Sequence, residues 1–427
     1  MRTLAGWLDY IERQHPQSIA LGLDRILPVL ARLGAKLACP VVTVGGTNGK
    51  GSVCAMLESM LRAAGYRVGL YSSPHLLRFN ERIRLDGREA SDAELCEAFA
   101  AVERARGATP LTYFEFGTLA AAWLLARAGL DAVVLEVGLG GRLDAVNAFD
   151  ADCAVLTSVG VDHVEYLGAS RDAIGREKAG IFRGGRPAII ADPQPPASVL
   201  DLAAALQAQT LLIGRDFGYA SQNGQWRYWG PAGQRSGLAH PALRGAVQLR
   251  NAAAALCALD ALRGRLPLTM QEVRIGLAQV VLPGRFQVLP GRPRVILDVA
   301  HNPEAARTLA GNLAASGFAP ETIAVCGLLR DKDIDGVLRA VAPHITRWHL
   351  ASLPGPRGAA ASELAAVLRV NGVRAPLMQH SSPAQAFAAA RESAHEDDKI
   401  IVFGSFVTVG DVMAYLGAAR GGATGHG

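Results

Sequence analysis

The chain has 427 residues, half of them hydrophobic, which is enough for sizeable cores in two or three domains of ordinary size. Its formal charge of +5 is spread out without a run of Lys or Arg, which suits small anionic ligands and gives no support to nucleic-acid binding. The N-terminus lacks an apolar signal core, and no apolar run is long enough to span a bilayer. We therefore expect a soluble, cytoplasmic protein without a membrane partner, and a monomer because no large apolar surface is evident.

A strand, a glycine-rich loop and a helix follow one another near the N-terminus. The apolar run at 41–44 is followed by Gly-Gly-Thr-Asn-Gly-Lys-Gly-Ser at 45–52, and an apolar helical pattern then begins. This context favours a phosphate-binding loop over a structural turn, because loop N–H groups and a helix N-terminus attract anions and Lys50 can reach the terminal phosphates. The ordinary Walker pattern places Ser or Thr directly after the lysine. Here Gly51 stands there and Ser52 follows, so either the match is chance or some magnesium ligands come from elsewhere.

Predicted strands and helices alternate over most of the chain. Residues 1–38 have a helical pattern, residues 210–245 indicate a small antiparallel insertion, and residues 282–286 indicate a linker or hinge. Predicted strands lie at 66–73, 131–137, 154–159, 186–191, 294–298, 323–327, 348–353, 375–379 and 399–404. Alternation of this kind indicates a mostly parallel sheet covered by helices. We predict an α/β chain with a P-loop parallel-sheet ATPase domain at 1–284, including the helical N-terminal segment, and a smaller Rossmann-like α/β domain at 285–427.

Three polar side chains lie at or beyond the ends of predicted parallel strands, where ligands of such sheets gather. Glu136 lies inside an apolar strand, where a carboxylate is costly unless it binds a metal or is satisfied by backbone donors or by Arg142. His163 alone is more typical of a packed or surface histidine. Together with Ser73 and Glu136, however, it can complete a Mg²⁺ site near the phosphates and replace the ligand missing at Gly51.

The sequence pattern alone does not decide the role of two pairs of neighbouring charged residues. Lys178 follows Glu177 in a predicted helix that could face the same cleft, and a solvated Glu–Lys pair is the preferred interpretation. Asp24 and Arg25 are adjacent, and their spacing favours an ordinary surface ion pair over the edge of a ligand pocket.

In the second predicted domain, Asp298 and His301 follow a strand. Asp298 can accept hydrogen bonds from ribose hydroxyls or orient an incoming group, whereas His301 with Pro303 can simply begin a helix. Arg285, just before, can contact phosphates if the two domains meet over the site.

Ten short motifs run in a fixed order over nearly the whole chain. They lie at residues 46–52, 71–76, 112–115, 135–145, 162–163, 175–181, 285–287, 298–303, 331–333 and 404–406. As an ordered set they resemble the Mur ligase superfamily and, within it, the folylpolyglutamate synthase branch in its bacterial form, bifunctional with dihydrofolate synthase. The Lys50-Gly51-Ser52 ending is similar to that branch, because cell-wall Mur ligases typically place Thr directly after the lysine.

The resemblance implies an ATP-dependent amide ligase that adds L-glutamate to dihydropteroate and to reduced folates. ATP phosphorylates a carboxylate, the amino group of glutamate attacks the acyl phosphate, and phosphate leaves, so the site must exclude water. The implied cofactors are ATP, Mg²⁺ at two sites and a monovalent cation. Three alternatives stay open: folylpolyglutamate synthase activity alone, a cell-wall Mur-type amino-acid ligase, and a P-loop nucleotide-binding or regulatory protein without ligase activity.

The same resemblance implies a role for each candidate residue. The nucleotide-binding positions are Thr47, Asn48, Gly49, Lys50, Gly51, Ser52, Asn251, Arg285 and Asp298. The magnesium ligands are Ser73, Glu136 and His163, and the pterin-bearing substrate would lie near Asp24, Arg25, Thr112, Leu143, Asp144 and Ala145. The residues with a catalytic role are Lys50, His163, Lys178 and His301, and Lys178 matches a lysine that the family carries as a carbamate.

Overall fold

A computed structural model describes residues 2–17, 19–222 and 224–423. The chain forms two compact units, the first made of Met1–Ala242 with Gln248–Val281 and the second of Leu243–Val247 with Leu282–Gly427. Both are α/β, which confirms the predicted fold class. The predicted domain division after residue 284 falls just beyond the last residue of the first unit.

The first unit is built on an eight-stranded sheet in the order β4-β3-β2-β5-β1-β6-β7-β8. The six strands β2, β5, β1, β6, β7 and β8 are parallel, and β3 and β4 are antiparallel at one edge. Its central strands are buried along their whole length, which explains their continuous apolar sequence. The strands are β1 (Val41–Gly45), β2 (Val68–Tyr71), β3 (Ile83–Leu85), β4 (Arg88–Glu89), β5 (Ala132–Glu136), β6 (Cys153–Leu156), β7 (Pro187–Ile190) and β8 (Gln209–Leu212).

Helices pack against this sheet. Helices α4 and α5, among others, begin with capping boxes in which Ser91 and Thr112 bond to the backbone of Glu94 and Glu115, whose side chains reach back to the cap. The helices are α1 (Leu4–Glu12), α2 (Ile26–Leu33), α3 (Lys50–Ala63), α4 (Asp92–Arg106), α5 (Tyr113–Arg127), α6 (Val164–Leu167), α7 (Arg171–Ala179), α8 (Ala197–Ala205), α9 (Val247–Ala261) and α10 (Met270–Gln279).

The predicted antiparallel insertion is confirmed as a three-stranded sheet of β9 (Gly218–Gln222), β10 (Gln225–Gly230) and β11 (Gly233–Ala239). A buried polar network ties this sheet to α9. The hydroxyl of Tyr228 donates to Asp260 at 2.6 Å, and Arg235 pairs with the same carboxylate at 2.7 Å. Because Asp260 is buried, both partners are needed to satisfy its charge.

The second unit has a six-stranded sheet in the order β12-β13-β17-β14-β15-β16, parallel except for β12. Its strands are β12 (Gln287–Leu289), β13 (Arg294–Leu297), β14 (Thr322–Cys326), β15 (Arg347–Ala351), β16 (Leu377–His380) and β17 (Lys399–Phe403). Its helices are α11 (Pro303–Ala315), α12 (Ile334–Val341), α13 (Ala361–Val370), α14 (Pro383–Ser393) and α15 (Phe406–Ala423).

The strand order determines where a site can form in the first unit. Strands β2, β5, β1 and β6 are neighbours and parallel, so their carboxyl ends lie side by side at one edge of the sheet. The glycine loop follows β1, Ser73 follows β2, Glu136 ends β5 and His163 follows β6. No described helix combines the length and the apolar character that crossing a bilayer requires.

The close packing of α3 on α10 gives a stability prediction. A Cβ added at Gly276 would lie 2.5 Å from the Cα of Met60, so Gly276→Ala must push the two helices apart. We expect a loss of about 1–3 kcal/mol in the free energy of unfolding, measured as a lower melting temperature.

The matched control is Gly311→Ala in α11, where nothing lies within 4 Å of the added carbon. There we expect an unchanged or higher melting temperature, because alanine has the better helix propensity. Equal shifts in the two variants would contradict the packing argument.

Candidate active site

The glycine loop needs its glycines because other groups occupy the space that side chains would fill. Gly46 has a φ of +142°, and a Cβ there would lie 1.9 Å from the hydroxyl of Thr157. Gly49 has a φ of +92°, and its Cβ would lie 2.7 Å from the side-chain oxygen of Asn251. Both conformations are unfavourable for residues with a side chain. The loop is therefore held in one shape, and α3 begins directly after it at Lys50.

The end of β6 holds the loop through backbone and hydroxyl contacts. The N–H of Thr47 donates to the carbonyl of Ser158 at 2.8 Å, and the N–H of Asn48 donates to the hydroxyl of Ser158 at 3.0 Å. The Thr157 hydroxyl donates to the carbonyl of Asn48 at 2.7 Å. Thr157 and Ser158 were not among the predicted site residues. Two hydroxyl residues directly after an apolar strand were the signal that could have found them.

Two predicted nucleotide-binding side chains lie at the loop. The ammonium of Lys50 donates to the carbonyls of Gly46 at 3.0 Å and Thr47 at 3.3 Å, which places its positive charge over the loop. Asn251 lies beside Gly49, and its side-chain nitrogen donates to Gln248 at 2.9 Å. Gln248 is a third residue that was not among the predicted site residues. Its spacing of three residues from Asn251 on one helix face was the available signal.

Ser73 and Glu136 meet at the ends of β2 and β5. The backbone N–H of Ser73 donates to the Glu136 carboxylate at 3.2 Å, and Glu136 is only 4 % exposed. Arg142 pairs instead with Glu177, at 2.8 Å, so the alternative in which Arg142 satisfies Glu136 is wrong. A hydroxyl and a carboxylate are the hard oxygen ligands that Mg²⁺ prefers.

His163 lies in the segment after β6. It adopts a left-handed conformation with a φ of +53°, and its N–H donates to the carboxylate of Asp162 at 2.8 Å. Among the described residues, no three His, Cys, Asp or Glu side chains form a ready-made metal cluster. A hydroxyl, a carboxylate and an imidazole are donor types that a divalent ion accepts together with oxygens of phosphate or water.

Lys178 is buried, and the preferred interpretation of a solvated Glu–Lys pair is therefore wrong. The lysine is 5 % exposed, whereas its neighbour Glu177 pairs with Arg142. Burial, together with the charge of Lys50, lowers the pKa of Lys178 to about 7. A lysine in this state is partly neutral at neutral pH and can act as a nucleophile.

The segment that contains Asp144 packs against α7. The N–H of Arg142 donates to the carbonyl of Glu177 at 2.8 Å, and a Cβ on Gly141 would lie 2.7 Å from the carbonyl oxygen of Lys178. The Asp144 carboxylate accepts the N–H groups of Leu139 at 2.8 Å and Val146 at 2.9 Å. Burial raises the pKa of Asp144 to about 6, although these hydrogen bonds and Lys50 oppose the shift.

Backbone and side-chain contacts join several of the predicted substrate segments in pairs. The N–H of Gly22 donates to the carbonyl of Leu143 at 3.1 Å, which joins the N-terminal segment to the one containing Asp144 and Ala145. Arg25 pairs with Glu115 at 2.9 Å, next to the Thr112 cap of α5. Asp24 is exposed and is not the partner of Arg25, so the predicted surface ion pair between them is wrong. The partner of Arg25 is Glu115, the third residue of α5.

The second unit has its own polar cluster at the carboxyl end of β13. Asp298 is buried there, which raises its pKa, and it accepts the N–H groups of Phe286 at 2.9 Å and Ala300 at 2.8 Å. Arg285 lies over the ring of Phe406 at 5.2 Å from the ring centre. His301 lies near the same ring.

His301 has a defined tautomer. Its Nδ1 lies 2.8 Å from the carbonyl oxygen of Val299. A carbonyl only accepts, so Nδ1 carries the proton and Nε2 is the acceptor of the neutral ring. The side chain is therefore turned by a backbone contact, and the interpretation of His301 as a simple helix start is incomplete. The N-cap of α11 is Asn302, which accepts from Ala305 at 2.9 Å.

Two family models match the chain. "Mur ligase middle domain" matches residues 44–259, and "Mur ligase, glutamate ligase domain" matches residues 284–406. Among the curated proteins, the dihydrofolate synthase/folylpolyglutamate synthase of Escherichia coli is 46 % identical over 420 residues, which cover 98 % of this chain and 97 % of that relative.

Solved structures agree with the sequence comparison. E. coli FolC in complex with DHPP and ADP superposes with a TM-score of 0.93 at 46 % identity, covering 98 % of this chain and 99 % of the other. A bifunctional folylpolyglutamate synthase/dihydrofolate synthase with Mn, AMPPNP and L-glutamate bound has a TM-score of 0.90 at 48 % identity, covering 98 % of both chains. The chain belongs to the dihydrofolate synthase/folylpolyglutamate synthase family, within the Mur ligases.

Proposed function

We propose that this protein is an ATP-dependent ligase that adds L-glutamate to dihydropteroate, giving dihydrofolate, and to reduced folates, giving folylpolyglutamates. One observation supports the chemistry above all others. Four adjacent parallel strands bring the glycine loop with Lys50 to the same sheet edge as the Ser73–Glu136 contact. A phosphate site beside a buried carboxylate is what phosphoryl transfer from ATP requires.

In the first step, the chain's own residues stabilise the negative charge of the phosphoryl group that is transferred. A carboxylate is a poor acyl donor, so its oxygen attacks the γ-phosphorus of ATP, the bond to ADP breaks, and an acyl phosphate forms. The Lys50 ammonium and the N–H groups at the start of α3 would stabilise the negative charge on the transferred group. The buried position of Glu136 and Lys178 supports a site that excludes water, which protects the acyl phosphate from hydrolysis.

Ser73, Glu136 and His163 would hold the divalent ions that we propose for this site. A bound Mg²⁺ neutralises charge on the phosphates of ATP. Two sites for divalent ions, and a further site for a monovalent cation, are what the family resemblance implies. The relative with Mn and AMPPNP bound supports a divalent ion and ATP as the cofactors.

We propose that the amino group of glutamate attacks the acyl carbon in the second step and phosphate leaves. The pterin end of the acceptor would lie among Asp24, Arg25, Thr112 and the segment Leu143–Asp144–Ala145. Arg25 and Thr112 are joined through Glu115, and Leu143 is joined to the N-terminal segment through Gly22, which supports one shared surface. In the second unit, Arg285 and Asp298 would bind nucleotide and His301 would act on the reacting groups.

The proposed substrates are tested by mass spectrometry of products. Purified protein with ATP, Mg²⁺ and L-glutamate is given dihydropteroate or tetrahydrofolate, and phosphate release is followed. We expect a glutamylated product from each acceptor. Product from tetrahydrofolate alone would reduce the assignment to folylpolyglutamate synthase, and product from neither would contradict it.

The role of Glu136 gives a second test. Glu136→Gln removes a charged metal ligand and keeps the shape, so we expect kcat to fall by at least about 100-fold. The matched control is Glu58→Gln. Glu58 is an equally buried carboxylate, in α3, but it pairs with Arg84 away from the strand ends. Equal losses in the two variants would show that the Glu136 effect is a general effect of removing a buried charge.

We propose that Lys178 reacts with CO₂ to form a carbamate. The neutral amine attacks the carbon of CO₂, a nitrogen–carbon bond forms, and one proton leaves to solvent. The product is an anion, which converts a buried cation beside Lys50 into an opposite charge. The lowered pKa supports this step, because below pH 7 the amine becomes protonated and unreactive.

The carbamate can be detected by NMR. In ¹³C-bicarbonate at pH 8, we expect a carbamate carbon signal by NMR that Lys178→Gln abolishes and that declines as the pH falls through about 7. Lys399→Gln is the control, because Lys399 is equally buried but bonds to Ser316 at 2.8 Å. A signal that survives in Lys178→Gln would rule out the modification at this lysine.

A further inference from the structure

Residues 158–160, which follow Thr157 just beyond the end of β6, are held from one side by the glycine loop. The N–H of Thr47 donates to the carbonyl of Ser158 at 2.8 Å. The N–H of Gly160 donates to the Thr47 hydroxyl at 2.9 Å, and that hydroxyl donates to the carbonyl of Gly160 at 3.1 Å. A single threonine of the loop therefore contacts both ends of this short segment.

The same segment is held from the other side by an ion pair. Asp192, just after β7, accepts the N–H of Val159 at 2.7 Å and pairs with Arg171 at 3.2 Å. Arg171, the first residue of α7, donates through Nε to the carbonyl of Val159 at 2.9 Å. Both backbone groups of Val159 are thus bonded to this pair.

The pair is itself fixed. Asp192 is 6 % exposed, and its second oxygen accepts the N–H of Gln194 at 2.9 Å. Arg171 also donates to the carbonyl of Gln194 at 2.9 Å. Asp192 is a buried carboxylate with three partners, and the Arg171 side chain, although 43 % exposed, has three acceptors that fix its direction.

The chain reaches His163 three residues after Gly160. The segment is tied to the glycine loop at Ser158 and Gly160, and to the Arg171–Asp192 pair at Val159 between them. The position of residues 158–160, from which the chain continues to His163, is therefore set by Thr47 on one side and by Arg171 with Asp192 on the other.

We propose that Arg171 and Asp192 are positioning residues that hold His163 in register with the phosphate loop, and that they raise the affinity for the divalent ion bound with the nucleotide. The inference rests on the proposed metal site. Neither residue touches the reacting atoms in this account. They act through the backbone of Val159, so their loss should weaken metal binding and leave nucleotide binding without metal unchanged.

The experiment measures Mn²⁺ binding to the full chain by calorimetry or electron paramagnetic resonance, in the presence of saturating AMPPNP. In Arg171→Ala we expect the Kd for Mn²⁺ to rise by about 10–100-fold, the range typical of residues that orient metal ligands. The Kd for AMPPNP without metal should not change. Arg171→Lys keeps the charge opposite Asp192 but cannot donate to all three acceptors of the arginine. Its Kd for Mn²⁺ should therefore lie between that of the wild type and that of Arg171→Ala.

A matched control exists at the opposite edge of the same sheet. Asp152 accepts the N–H of Val41 at 2.9 Å, at the start of β1, and pairs with Arg186 at 3.2 Å and Arg265 at 2.7 Å. Arg186→Ala therefore removes a similar contact, an arginine on a carboxylate that holds a strand end, far from the phosphate loop. Its Kd for Mn²⁺ should equal that of the wild type.

An unchanged Mn²⁺ affinity in folded Arg171→Ala would overturn the inference, as would an equal loss in Arg186→Ala. If Arg171→Ala does not fold, Arg171→Lys decides the question by the same measurement. A wild type that binds no Mn²⁺ would overturn the inference together with the metal site. In a wild type that binds Mn²⁺ but forms no glutamylated product, the substrates are contradicted and the Mn²⁺ comparison still decides the inference.

Discussion

The contact between the glycine loop and the end of β6 is the constraint on which the proposed site depends. Gly46 can approach the Thr157 hydroxyl only because it has no side chain, and the resulting closeness lets Thr47 and Asn48 bond to Ser158. The loop is shaped by its neighbour strand as much as by its own sequence. The proposed anion site would therefore be rigid before any ligand arrives, which would lower the entropy lost on binding.

The strand order then decides which side chains share the site with the loop. Neighbours of β1 on either side are β5 and β6, although these strands come much later in the chain. Glu136 and the segment leading to His163 are therefore adjacent to a loop that precedes them by more than 80 residues. The crossover connections of a parallel sheet produce this proximity, and they do so without any local sequence signal beyond the strands themselves.

Much of the fold could be predicted because its signals are local. The apolar runs before Gly45 and Glu136, and the capping box at Ser91, each depend on a few consecutive residues. Predictions about partners were less successful, since they depend on contacts between distant segments. Arg25 bonds to Glu115, and Arg142 bonds to Glu177. Neither pairing has a pattern in the sequence, because opposite charges attract across any separation along the chain.

The burial of Lys178 shows the same limit, because a Glu-Lys dipeptide in a helix looks solvated until its neighbours are known. That burial also has a thermodynamic consequence. Asp144 and Lys178 have pKa values of about 6 and about 7, so near neutral pH neither group is fully in one protonation state. An anion that arrives beside the unmodified amine of Lys178 raises its pKa and draws a proton from solvent. The heat measured for such binding therefore includes the ionisation enthalpy of the buffer, and titrations in phosphate and in Tris would give different apparent enthalpies for one and the same complex.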